Sequence, residues 1–209
     1  MSPYDGALAV LVDPVPSCGR GRGILFLAAH LAQAEDVNRM AADGRGICTV
    51  TINENTAARL RLMPQGPIPR QRDAPYLVNS VEAVACSETG ISAAERALTL
   101  RVAGNPDAVA EDLVTPGHIM VQVARNVLRE RASLPEIANA LLSAHRIARF
   151  SAWCDILDEG GDIGSATYCR AQAERLGLPC FEASTAIAFA RTELSAWAAA
   201  VQFSDTMFT

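Results

Sequence analysis

The residues able to do chemistry fall into a few short stretches. Thr89-Gly90-Ile91-Ser92-Ala93-Ala94-Glu95-Arg96 opens with a glycine turn and a small hydroxyl residue, and an apolar helical pattern follows. Ser92 can cap that helix through its side-chain oxygen, and Glu95 three residues on completes a capping box. N–H groups left free at a helix start suit an anion or a polar substrate. Thr89, Ser92 and Glu95 are therefore candidate ligand contacts, although the same residues also read as a plain capped helix, with Glu95 and Arg96 in surface pairs. His118 follows Pro116-Gly117 and is either a proton carrier or a structural residue. All 18 basic residues are arginine, so a lysine Schiff base is excluded. The histidines His30, His118 and His145 are far apart, and the six cysteines (Cys18, Cys48, Cys86, Cys154, Cys169, Cys180) contain no C-x-x-C pair. Neither set has the spacing of a zinc site, and mostly buried, reduced thiols are expected.

The elements that must position these groups can be read in order. Residues 7–12 form a continuous apolar run bounded by Asp13-Pro14, which predicts a buried strand. Pro14, Pro16, Gly19, Gly21 and Gly23 predict a loop that excludes helix and central strand. Gly19-Arg20-Gly21-Arg22-Gly23 lacks the spacing of a dinucleotide fingerprint and is at best a weak phosphate site. Strands are expected at 24–29, 46–52, 76–85, 118–123 and 149–157, with a short one at 180–181. Helices are expected at 35–42, 53–62, 92–103, 133–145, 165–176 and from Ser184. Ser133-Leu134-Pro135-Glu136 is a second capping box with proline in the first turn. Residues 63–75 hold four prolines and are expected to be a mobile loop. Pro116-Gly117 reads as a turn leading into the His118 strand. The uneven alternation of strands and helices favours a mixed α/β or α+β sheet flanked by helices, in a single domain over 1–209.

Composition bounds the function classes. The net charge of −5 argues against nucleic acid as the main partner. No apolar run reaches membrane-span length, and no basic stretch precedes a hydrophobic core at the N-terminus. A cytoplasmic protein is expected. The segment 197–209 is apolar and is a candidate interface.

The chain also resembles a known family over about residues 7–191. Thr89-Gly90-Ile91-Ser92-Ala93-Ala94-Glu95-Arg96 is similar to the T-G-I-S-A-x-D-R signature of 3,4-dihydroxy-2-butanone 4-phosphate synthase. Gly44-Arg45-Gly46, Pro116-Gly117-His118 and Cys154-Asp155-Ile156 resemble that family's G-[RS]-G, P-G-H and C-E-I. The resemblance implies the family's fold, a homodimer with residues of both subunits around the site, and a reaction that rearranges ribulose 5-phosphate and expels formate with divalent metal. The family holds the metal with an acidic loop, D-D-E-D-R-E-N-E-G-D, a histidine in R-x-G-H-T-E and the glutamate of C-E-I.

Laid on this chain without gaps, that loop loses its carboxylates. Its earlier acidic positions fall on Val15, Pro16, Ser17 and Cys18, its arginine on Gly19, its two later glutamates on Arg20 and Arg22, and its last aspartate on Ile24. Arg131 and Glu136 match R-x-G-H-T-E, but the histidine falls on Leu134 and the threonine on Pro135. Asp155 replaces the glutamate, one methylene shorter. The family cysteine after G-x-G falls on Thr49, with Cys48 one place earlier and so facing the other side of a strand. These departures predict a rebuilt, metal-independent pocket with no cofactor, working on a small anionic or enolisable metabolite in specialised biosynthesis. Arg20, Arg22 and Arg131 would hold a carboxylate, phosphate or enolate, with Asp155 and His118 moving protons. Thr89, Ser92, Glu95, Thr49 and Cys48 would line the pocket. The expected activity is a lyase, isomerase or cyclase other than the family's synthase reaction. The alternative is a non-catalytic homologue that binds a small ligand or a protein partner, with Arg20 and Arg22 as a solvated loop.

Overall fold

The computed structural model describes residues 4–14, 21–67, 76–124 and 132–206, with side chains up to Ala196. Seven strands form one sheet: β1 (Ala9–Asp13), β2 (Arg22–Ala28), β3 (Thr49–Asn53), β4 (Leu77–Ala83), β5 (Leu113–Ala124), β6 (Ser151–Asp155) and β7 (Cys180–Glu182). Their order is β4-β5-β3-β6-β2-β1-β7. The β3/β5 and β1/β7 pairs are parallel, and the other neighbours are antiparallel. The mixed sheet flanked by helices is the architecture that the element pattern implies.

Six α-helices cover the sheet: α1 (Ala34–Arg39), α2 (Glu54–Arg59), α3 (Ala93–Ala103), α4 (Leu134–Ala144), α5 (Ala166–Leu176) and α6 (Ala183–Thr206). One face packs against α1, α3 and α5, through Val10, Leu25, Val50, Val121 and Cys154 of the strands. The other packs against α4 and α6, through Leu11, Ile24 and Phe26. Both faces are buried, so strands such as Ala9–Val12 and Gly23–Ala28 read as unbroken apolar runs. Helix α4 is buried nearly all round because it lies between the sheet and α6. Each fully buried Leu or Ile side chain there contributes about 1.5–3 kcal/mol relative to exposure. Asn139 ties the helix to two strands: its Nδ2 donates to the Thr51 carbonyl at 3.0 Å, and its Oδ1 accepts from the Ser151 N–H at 2.7 Å.

Two local expectations are corrected by tertiary pairing. Pro116-Gly117 lies inside β5, not in a turn before it. The β4–β5 register shifts at this point, so the missing proline N–H breaks no regular ladder. A Cβ on Gly117 would lie 2.1 Å from the Val81 carbonyl, so only glycine lets β5 approach β4 here. Gly23 lies in β2, an interior strand, although the proline- and glycine-rich stretch predicts loop. A Cβ there would meet Cys169 of α5 at 2.8 Å, and the absent side chain lets the helix sit close. The loop expected at 63–75 lies mostly at 68–75, outside the described residues.

Candidate active site at one end of the sheet

Strand register collects the chemistry-bearing residues at a single end of the sheet. Met120 of β5 pairs with Thr49 of β3, and Thr49 pairs with Trp153 of β6. His118 and Asp155 lie two residues further along their strands, towards the same end. Side chains alternate, so both stay on the face of Met120, Thr49 and Trp153, the one covered by α4 and α6. Asp155 pairs with Ile24 of β2, and Arg22 lies two residues beyond, opposite Asp13 of β1. His118, Asp155, Arg22 and Thr49 thus share one face near one end.

Burial pushes the Asp155 carboxyl above its ordinary range, and the Arg22 guanidinium opposes that shift. The Gly44-Arg45-Gly46 stretch closes over Asp155: a Cβ on Gly46 would lie 2.5 Å from the Asp155 carbonyl oxygen. Arg45 donates to the backbone carbonyls of Leu157, at 3.3 Å, and Asp158, so it braces the turn after β6.

His118 Nδ1 lies 2.7 Å from Glu82 Oε2 on β4. Sequence reasoning does not single out Glu82. Its only signal is a charged residue in an alternating strand, and the partner is 36 residues away. Among the other candidates, Ser92 caps α3 by accepting from Glu95 N at 3.2 Å, and Thr89 and Ser92 are exposed. Glu95 is buried and not in a surface pair. It accepts from Glu88 N at 2.7 Å, Gly90 N at 3.0 Å and Ser92 Oγ at 3.1 Å. The amide of Glu88 is the largest cause holding its carboxyl below the ordinary range. Arg96 is half-buried, and its Nε has no hydrogen-bond partner among the described residues.

Thr49 is buried and donates to the Ile47 carbonyl at 3.1 Å. Cys48 faces the other core, with its thiol 3.6 Å from Met40 Sδ and pushed up to about 11 by burial. That is the face opposite Asp155. Arg20 and Arg131 lie outside the described residues. A cavity of about 1100 Å³ opens at the other end of the sheet, beside Asn53, Asn139 and Arg146. It contains none of the candidate residues, so its size does not make it the site.

The match to the family model of 3,4-dihydroxy-2-butanone 4-phosphate synthase spans residues 5–189. The chain belongs to the 3,4-dihydroxy-2-butanone 4-phosphate synthase family. A synthase of that name from Chromobacterium violaceum is 35% identical over 159 residues, 74% of each chain. One from Neisseria meningitidis serogroup B is 33% identical over 76% of this chain and 43% of its own. A riboflavin biosynthesis protein from Aquifex aeolicus is 31% identical over 76% of this chain. The chain therefore spans most of the first of these relatives and about two fifths of the other two. Among solved structures, a two-domain synthase from A. baumannii superposes with a TM-score of 0.76 and 28% identity, over 85% of this chain and 52% of that one.

These relatives correct the expectation of a repurposed pocket. Chains 31% to 35% identical over about three quarters of this one are named for the synthase or for riboflavin biosynthesis. That supports the synthase reaction over a different lyase, isomerase or cyclase, and over a non-catalytic binder. The expectation sets departures at single motif positions above a similarity that extends along nearly the whole chain. Among the described residues, no helix is long and apolar enough to cross a membrane.

Proposed function

We propose that this chain carries out the reaction of its family, rearranging ribulose 5-phosphate to 3,4-dihydroxy-2-butanone 4-phosphate and formate in riboflavin biosynthesis. One observation carries the reading: His118 and Asp155, at the family's P-G-H and C-E-I positions, share one face at one end of the sheet. Enolising a keto sugar needs a group to take a proton beside the carbonyl and a group to protonate oxygen. His118 and Asp155 fill these roles, and the raised pKa of Asp155 suits a carboxyl that must alternate between its two forms. Arg22 supplies positive charge for a phosphate or an enediolate oxygen. Arg20 and Arg131 are assigned to the same anion.

The family pattern implies a divalent metal, and the residues on this chain do not fit one held in that way. Magnesium takes hard oxygen ligands. Residues 15–20 include no carboxylate, and Ile24 and Leu134, at two family ligand positions, are packed in apolar core. Arg22 would repel a cation beside Asp155. Among the described residues, no three His, Cys, Asp or Glu side chains converge as a metal site requires. The roles above therefore rest on protein groups alone.

The reading includes a cytoplasmic homodimer acting on a small sugar phosphate, with no nucleic acid or membrane partner. Exposed Ile47, Val84, Ile91, Val114 and Ile163 lie around the site end, where a second subunit would cover them. Incubation with ribulose 5-phosphate and magnesium is the test. Formate should appear at an ordinary enzymatic rate, and His118→Ala or Asp155→Asn should lower it about a hundredfold or more, as loss of an acid–base group does. Absence of formate from correctly folded protein would refute the reading.

A further inference from the structure

We infer that the Thr89–Ser92 loop acts on the site through Glu82: Gly90 seats the Glu82 carboxylate, and Glu82 fixes the ring of His118. The proposal rests on His118 moving a proton in the reaction proposed above, and it assigns Glu82 and Gly90 as positioning residues.

The contacts form a continuous series. Glu95 is the anchor, because it binds the amide of Gly90 within the loop and that of Glu88 just before it. This holds Gly90 at φ +78°, a left-handed conformation that side chains disfavour. Gly90 in turn abuts Glu82. A Cβ on Gly90 would lie 1.7 Å from both Cδ and Oε1 of the Glu82 carboxyl, so any side chain there must displace it. Glu82 is only 12% exposed and reaches His118 Nδ1 at 2.7 Å. The backbone before the histidine is clamped too. Gly117 lies against the Val81 carbonyl, and its N–H donates to Ser80 Oγ at 3.2 Å.

The chemistry follows from the partner. An ionised carboxylate only accepts, so Nδ1 carries the hydrogen and Nε2 keeps its lone pair. His118 is 41% exposed, which leaves Nε2 open to a substrate. A carboxylate behind an imidazole holds one tautomer and stabilises the imidazolium formed when Nε2 takes a proton. Gly90 is therefore explained by the carboxylate it touches, without a direct contact to substrate.

Nitrogen-15 NMR of the His118 ring tests this apart from activity. Full-length protein should show the Nδ1-protonated tautomer for neutral His118. Glu82→Gln, whose amide can donate as well as accept, should mix the tautomers, and Gly90→Ala should do the same. In the formate assay, each should lower kcat by about tenfold or more, part of the roughly 10²–10⁴-fold that a general base contributes, with KM changed less than about threefold. Glu174→Gln removes an exposed charge from α5, outside this series of contacts, and should change neither readout. If Gly90→Ala does not fold, Glu82→Gln decides the matter. An Nε2-protonated ring in the parent protein, or an unchanged ring and kcat in Glu82→Gln, would overturn the inference. A parent protein that has the expected tautomer but releases no formate would remove the proposed reaction and leave the ring geometry standing.

Discussion

Asp155 carries a cost that its position explains. Burial raises its pKa, and Arg22 only partly offsets this. The folded state therefore binds the proton more tightly than the unfolded chain, whose carboxyl titrates near about 3.9. The stabilising contribution of the protonated form is complete below that pH and is lost as pH rises through the folded-state value. Asp155→Asn should accordingly be more stable than the parent at pH 7, with the difference shrinking towards pH 4. Urea unfolding at the two pH values measures it. Arg22→Gln removes the opposing cation and should move the Asp155 titration further up, as read by carboxyl NMR. A variant that gains stability while losing formate release would be the trade expected of a site residue.

Helix α4 is joined to the strands by one side chain as well as by apolar packing. Asn139 satisfies a backbone carbonyl of β3 and a backbone N–H of β6, and both strands pair with each other at Thr51 and Ser151. Asn139→Leu would leave those buried groups without their side-chain partner. Each stranded group costs roughly 1–3 kcal/mol. Denaturant unfolding should show a loss of that order or more, with an unchanged m-value if the fold is kept. The same logic explains β5. Gly117 and the shifted β4–β5 register place His118 at its height in the sheet, so the element positions the residue, and a helix or turn at 116–117 would not.

At the scale of the molecule, the antiparallel and parallel pairings gather both ends of the family pattern at one end of one sheet. That end also exposes apolar residues, with Ile47 70% exposed. A homodimer closing over this end is the proposed assembly, and light scattering at micromolar concentration should give twice the 22.2 kDa of one chain. Ile47→Glu, at the most exposed of these residues, should shift the mass towards one chain and lower formate release together. A mass near 22.2 kDa for the parent would remove the shared-site arrangement. The tail 197–209 contributes backbone helix as far as Thr206, and its side chains lie outside the described residues.

Local signals were legible in the residues alone. The N-cap at Ser92 and the capping box at Ser133 act over three residues, and Gly177 ends α5 in a left-handed turn, so none needs the rest of the chain, although Glu95 does not close the box expected at Ser92. Apolar runs identified the buried strands, and the T-G-I-S, P-G-H and C-D-I stretches identified the family. Other features were settled only by tertiary structure, because they depend on contacts distant in sequence. Glu82 meets His118 across 36 residues, Glu95 turns inward to its loop amides, and Pro116-Gly117 joins a strand because β4 is there to receive it. Whether a glycine is a turn or a close approach depends on what lies against it. At Gly23, Gly90 and Gly117 that neighbour is respectively a helix, a carboxylate and a strand backbone, none of them within reach of a local reading.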